Sequence, residues 1–198
     1  MHAFATPVFR LRLLLALLAA FALGIAPAAH AAVTTYTTTL SGPNESPPNA
    51  SPGTGTGIVD VDPVAHTMRV RVNFSGLTGT TTACHIHAPT LVALTGTASV
   101  ATTTPTFPGF PGGVTSGSYD NTQDMTQATS YNAPFLTANG ESTAAAEAAL
   151  FQHIADGKAY LNVHSSAFAG GEIRGFLTPD ASTPVGATTW GRIKSFYR

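Results

Sequence analysis

Between Thr67 and Leu77 the chain alternates without a break: Met68, Val70, Val72 and Phe74 interleave with Arg69, Arg71 and Asn73. Successive side chains of a strand leave opposite faces, so a period of two over this length predicts a half-buried antiparallel β-strand. Lys158 to Ser165 repeats the pattern, with Ala159, Leu161 and Val163 set against Tyr160, Asn162 and His164. Glycines at Gly170 and Gly171 then turn the chain into Glu172 to Thr178, which predicts a β-hairpin. A chain with two such segments must bury one face of a sheet, and composition agrees. Charged residues make up only 10% of the sequence, too few to clothe a helical bundle.

Further strands are expected at Val33 to Leu40, Ile58 to Asp62 and Thr82 to Ala88, with weaker ones at Leu91 to Val100 and Val114 to Tyr119. Ser41 to Gly57 is rich in proline and glycine and reads as loop. Its Gly53, Gly55 and Gly57 are not followed by a helix pattern, so they do not make a phosphate-binding loop. Thr102 to Gly113 reads as a loop carrying Phe107 and Phe110, and Asp120 to Asn139 as structured loop. Exposed aromatics on a loop suit recognition, which makes Phe107 and Phe110 an expected contact surface. Ala146, Leu150 and Ile154 recur at helical spacing behind Ser142, an N-cap type, and before Gly157, a stop. The sum is an all-β, antiparallel sandwich or Greek-key barrel with one short helix.

The first 31 residues read as a secretory signal. Arg10 and Arg12 precede an apolar run from Leu13 to Ala26, and Ala29-His30-Ala31 supplies small residues for cleavage before Ala32. The run is shorter than a bilayer span. Cleavage would leave 167 residues, one domain, with seven basic residues against ten acidic ones. That balance offers no basic patch for nucleic acid or an anionic membrane. Residues 32–178 are expected to form the domain and 179–198 a linker and a short basic, aromatic tail. In that tail Trp190, Ile193 and Tyr197 fall on one helical face, a pattern suited to surface retention.

The chemistry-bearing residues are few. Cys84 is the only cysteine. It shares strand parity with Ile86, so it belongs to the core as a small apolar residue. His85 and His87 share the opposite face. A His-x-His pair on a strand, joined by His164 from a neighbouring one, would present three imidazoles with an open fourth position, a set that suits zinc or copper. Imidazoles at such positions also brace loops through backbone carbonyls, and both readings stand at this point. Asn162, Glu172 and Arg174 share the face of His164, where Glu172 would orient His164 or lock the turn with Arg174. Gly-x-Ser-x-Gly, His-Glu-x-x-His and Walker patterns are absent from the sequence.

Two segments match a known family. Gly76-Leu-Thr-Gly79 followed by His85-Ile-His87-Ala-Pro89 resembles the first signature of the CHRD (chordin-type) domain. Tyr160-Leu-Asn-Val-His164 and Gly170-Gly-Glu-Ile-Arg-Gly175-Phe-Leu177 resemble the second, and Leu40-Ser-Gly-Pro-Asn-Glu-Ser-Pro-Pro48 the opening. The resemblance covers residues 33 to 178. It implies an immunoglobulin-like or superoxide-dismutase-like β-sandwich of the single-domain exported bacterial type. It does not imply an enzyme, and the leading expectation is a non-enzymatic role in binding or scaffolding an extracytoplasmic protein or surface component. The His-Ile-His run is similar to the copper-ligand strand of copper/zinc superoxide dismutase. No bridging-histidine loop, disulfide pair or metal-binding aspartate is legible beside it, so dismutase chemistry is not implied.

Overall fold

A computed structural model describes residues 33–181. The expected signal segment and the C-terminal tail lie outside them. Eight strands form one antiparallel sheet: β1 (Thr34–Ser41), β2 (Thr54–Asp62), β3 (Thr67–Ser75), β4 (Thr81–His87), β5 (Gly117–Asp124), β6 (Tyr160–Ser165), β7 (Ile173–Phe176) and β8 (Thr178–Pro179). Their order is β4-β6-β7-β1-β2-β3-β5, with β8 paired to β1. The sheet curls so that its two ends share one core. Leu40, Val59, Val70 and Val72 on the β1–β3 side and Ile86, Leu161, Val163 and Ile173 on the β4–β7 side are all fully buried. The layers meet closely: a Cβ placed on Gly57 of β2 would lie 2.6 Å from a methyl carbon of Leu161 on β6.

The strong alternation of β3 is reproduced, with Met68, Val70, Val72 and Phe74 buried. On its outer face Arg69 pairs with Asp120 at 2.6 Å and Arg71 with Asp60 at 2.5 Å, both across strands. The first of these is exposed and the second half-buried, and an exposed pair sets register more than it stabilises. β2 begins at Thr54, earlier than the glycine content predicts. Gly55 and Gly57 are strand residues here, placed where packed neighbours leave no room for a side chain. The hairpin of β6 and β7 forms as expected, closed by Glu172 N–H donating to the Val163 carbonyl at 2.8 Å.

Three expectations fail for stated reasons. Leu91 to Val100 is loop, tied to the sheet by a bridge between His87 and Val100 and by side-chain bonds to its Gly96 and Ala98 backbone. Asp120 to Asn139 is not simply loop: β5 runs to Asp124, and a short helix, α1 (Ala133–Ala138), buries Phe135 beside the expected helix, α2 (Thr143–Ala155). α2 is capped by Ser142, whose side chain accepts from Ala145 N–H at 3.3 Å. Phe107 and Phe110 are no contact surface. Phe107 is fully buried, Phe110 is 8% exposed and stacks on Phe74 at 5.6 Å, and Phe107 N–H donates to the Cys84 carbonyl. The Thr102–Gly113 loop therefore closes the core beside β4.

Gly175 marks the tightest crossing in the sheet. A Cβ there would sit 2.2 Å from the Thr39 carbonyl oxygen, a backbone atom that can move only with β1. Gly175→Ala is expected to cost more than about 3 kcal/mol, the upper end for overpacking. Gly112→Ala, where nothing lies within 4 Å, is expected to change stability by less than about 0.5 kcal/mol. Denaturant unfolding of the two variants side by side checks both.

Candidate metal centre

The register of β4 on β6 opposes His85 to Asn162, His87 to Tyr160 and Ala83 to His164. Cys84 and Ile86 are thereby turned to the core, and His85, His87 and His164 to the other face, where the three rings meet. Ring centroids are 4.7 Å apart for His85 and His87, 4.6 Å for His85 and His164, and 6.0 Å for His87 and His164. Each histidine offers one nitrogen to a cluster whose members all lie within 4.8 Å of one another. The face is not the open outer surface that strand parity alone implies. The segment from Ala98 to Pro105 and the β6–β7 connection wall it in, leaving the three side chains only 6–9% exposed.

One backbone carbonyl orients each ring. His85 Nδ1 lies 3.2 Å from the Pro105 carbonyl oxygen, His87 Nδ1 2.8 Å from Ala98, and His164 Nδ1 2.9 Å from Ala169. A carbonyl oxygen only accepts, so every Nδ1 carries the proton and every Nε2 is left with a lone pair. All three Nε2 atoms are buried and without a hydrogen-bond partner among the described residues. Burial pushes the His85 imidazolium pKa down to about 3, with help from His164 and His87, against the Pro105 bond. Burial likewise lowers His87 to about 4, opposed by the Ala98 bond and assisted by His164 and Arg174. His164 is lowered by burial too. The site therefore holds three neutral, like-oriented donors. It opens onto a cavity of about 580 Å³ lined by Thr82, Thr104, Ser165 and Ser166 among others.

Behind the rings stands a stacked column. Tyr160 lies parallel to His87, 6° between planes at 4.7 Å, and the Arg174 guanidinium sits 4.6 Å from the Tyr160 centroid. Arg174 donates to the Asn44 carbonyl at 2.6 Å and the Gly96 carbonyl at 3.1 Å, tying two loops to β7. Its carboxylate partner is Glu45 at 3.7 Å, not Glu172. Burial raises Glu45 to about 7 despite the Arg174 charge and a backbone bond from Ser46. Asn162 lies between His85 and Arg174 in the register, its side chain packed against Gly171. Gly171 adopts φ of 127°, where a Cβ would strike both the Asn162 amide and Glu45.

Glu172 does not orient His164. Its carboxylate is fully buried on a different set of donors: Ser51 Oγ at 2.6 Å, Gly79 N–H at 3.2 Å, and the N–H of Thr78. Burial opposes its charge, but bonds from Ser165, Ser51, Thr78 and Gly79 outweigh it and hold the carboxyl below its ordinary value. Glu172 thus clamps the Gly76–Gly79 turn to the β6–β7 connection. Both CHRD-like signatures meet here: the turn and His-Ile-His of one, the Tyr-Leu-Asn-Val-His and Gly-Gly-Glu-Ile-Arg of the other.

The CHRD-domain family model matches residues 36–177, most of the described chain. The chain belongs to the CHRD family. Comparison with curated proteins returned no match, and neither did comparison with solved structures. CHRD membership covers every strand from β1 to β7 almost completely, so the histidine cluster, the Glu172 clamp and the Arg174 column all fall inside the CHRD domain.

The sequence reading missed the three carbonyl anchors, because Ala98, Pro105 and Ala169 act through backbone that carries no residue signal. It also missed Glu45 as the partner of Arg174, since the two are 129 positions apart and nothing local links them. Tyr160 had a signal: it shares the parity of Asn162 and His164.

The lowered histidine values carry a pH consequence for the metal-free protein. The unfolded chain takes up protons near pH 6.5, while His85 and His87 resist until about 3 and 4. The contribution of these two histidines to stability is therefore full above pH 6.5 and lost as pH falls from there toward 3. A His85→Gln variant is expected to show a shallower loss between pH 6.5 and 4, read from urea midpoints across that range. An unchanged slope would mean that His85 is not neutral in the fold.

Proposed function

We propose that this CHRD protein holds a transition-metal ion, copper or zinc, on the Nε2 atoms of His85, His87 and His164. The observation that carries the reading is the shared orientation of the three rings. Each Nδ1 is committed to a carbonyl, and each Nε2 is left buried and unpaired in a cluster that offers one nitrogen per ring within 4.8 Å of the others. A buried acceptor with no donor costs about 1–3 kcal/mol, and three at one point are hard to retain without a compensating ligand. Backbone or carboxylate bonds at the non-ligating nitrogen are the usual means of fixing a metal-bound imidazole. His-x-His on one strand with a third histidine on the next leaves the fourth position to the cavity, the arrangement of an exchangeable site rather than a closed structural one.

Membership of the CHRD family supports a non-enzymatic module, and CHRD domains occur in extracellular proteins. Among the described residues no helix is long and apolar enough to cross a membrane. With the N-terminal segment read as an export signal, the proposed setting is extracytoplasmic, where the domain binds or scaffolds a protein or surface component. A second reading, that the histidines only brace loops, draws on the same three carbonyl bonds, since each ring ties β4 or β6 to a flanking segment.

Elemental analysis of protein purified without chelators or affinity nickel separates the two. Near-stoichiometric copper or zinc is expected in the native protein and none in the His85→Ala/His87→Ala variant. Added metal is expected to raise the Tm of the native protein alone. Absence of metal in both, with the variant destabilised equally with and without added copper or zinc, would leave bracing as the role.

A further inference from the structure

We propose that the three-histidine centre is built to prefer a monovalent ion, copper(I), over zinc or copper(II). The inference rests on the metal-binding reading above and names the ion.

Charge decides the matter. The ligand set consists of three neutral imidazoles. No carboxylate or thiolate joins the cluster among the described residues. The charged group packed on the aromatic column beside the rings is a cation, the Arg174 guanidinium, 4.6 Å from the Tyr160 ring that stacks on His87. Arg174 stands behind Tyr160, which is stacked on His87, and β6 places Tyr160 between the two. Glu45 meets Arg174 at 3.7 Å, and burial raises its carboxyl to about 7, so it offsets the guanidinium only in part. Cys84, next to His85 in sequence, faces the core and is fully buried there, away from the rings.

An ion entering this site leaves water for a pocket only 6–9% exposed at its ligands, and nothing there neutralises it. The solvation cost of an ion grows with the square of its charge, so a divalent ion forfeits about four times what a monovalent one does. Zinc and copper(II) also require at least a fourth donor. The polar side chains that line the cavity besides the histidines are the neutral hydroxyls of Thr82, Thr104, Ser165 and Ser166, so a divalent ion would take its fourth donor from solvent water and keep its charge uncompensated by the protein. Copper(I), a closed-shell ion content with two or three imidazoles, needs neither the fourth donor nor the countercharge.

The test is a competition titration of the metal-free full chain under anaerobic conditions at pH 7. Copper(I) is titrated against bicinchoninate, and zinc and copper(II) each against a chromophoric chelator of known affinity. Copper(I) is expected to bind at least about a hundredfold more tightly than either divalent ion. Zinc or copper(II) binding as tightly as copper(I) overturns the proposal while leaving the metal-binding reading intact. Failure of all three ions to bind removes both.

Arg174 supplies a second measurement. Arg174→Met takes away the positive charge behind Tyr160 and is expected to narrow the copper(I)-to-zinc gap by about tenfold, the size of one unit charge acting at roughly 10 Å through protein. Arg174→Lys keeps the charge and is expected to keep the gap. Because Arg174 also ties two loops, both variants are compared by circular dichroism and Tm. A gap that is unmoved in a folded Arg174→Met protein removes Arg174 from the account, and equal narrowing in the Lys variant does the same.

Discussion

The antiparallel pairing of β4 with β6 sets Cys84, Ile86, Leu161 and Val163 into the core, and by the two-residue period of a strand it turns His85, His87 and His164 the other way. A one-residue slip would exchange the two sets, placing imidazoles in the apolar core and leaving four apolar side chains among polar loops. Register here is therefore strongly enforced. The devices that hold it sit on either side: Glu172 fastens the turn before β4 to the connection after β6, and Gly175 lets β7 lie against β1. Remove the pairing and the three Nε2 atoms no longer converge.

Burial of both faces of β4 and β6 leaves the polar groups of the histidine face to be satisfied from within the fold. The core face is satisfied by packing alone. The histidine face satisfies nearly everything except the three Nε2 atoms and the Asn162 and Glu45 oxygens beside them. Backbone carbonyls take up all three Nδ1 protons, although any one ring could have been flipped to place its donor elsewhere. A bracing role needs one bond per ring and is indifferent to where the second nitrogen points. Three second nitrogens left buried and unpartnered in one cluster are an additional condition, and the proposed metal site rests on it.

Where the sequence was informative, a local period carried the signal. The alternation of β3 and β6, the cap and stop of α2, and the shared face of His85 and His87 all follow from spacing within a few residues. The meeting of His164 with His85 needed the order β4-β6, which no local pattern states, but it was reachable because both CHRD-like signatures carried histidines of like parity. Phe107 and Phe110 were misjudged because a Pro- and Gly-rich loop normally runs over the surface, whereas this one closes the core against β4. The early start of β2 was hidden for the converse reason: Gly55 and Gly57 lower strand propensity locally, and only the neighbours above them explain why no larger residue fits. Glu172 was placed on the correct hairpin but given the wrong partner, because proximity along a face does not say which buried donors lack an acceptor.

Cys84 shows how one strand can offer two chemistries and use one. A thiol lies next to His85 in the chain, and cysteine with histidine is a common transition-metal ligand set. Strand parity sends the sulfur into the core, and burial there disfavours the thiolate that a metal would require. Rotating Cys84 toward the histidines would pull Ile86 with it and open the core between Phe107 and Leu161. The packing that stabilises the sheet thus also keeps sulfur out of the donor set. A side-chain cluster limited to imidazoles, with the thiol turned away from it, is a consequence of the same alternation that makes β4 a strand.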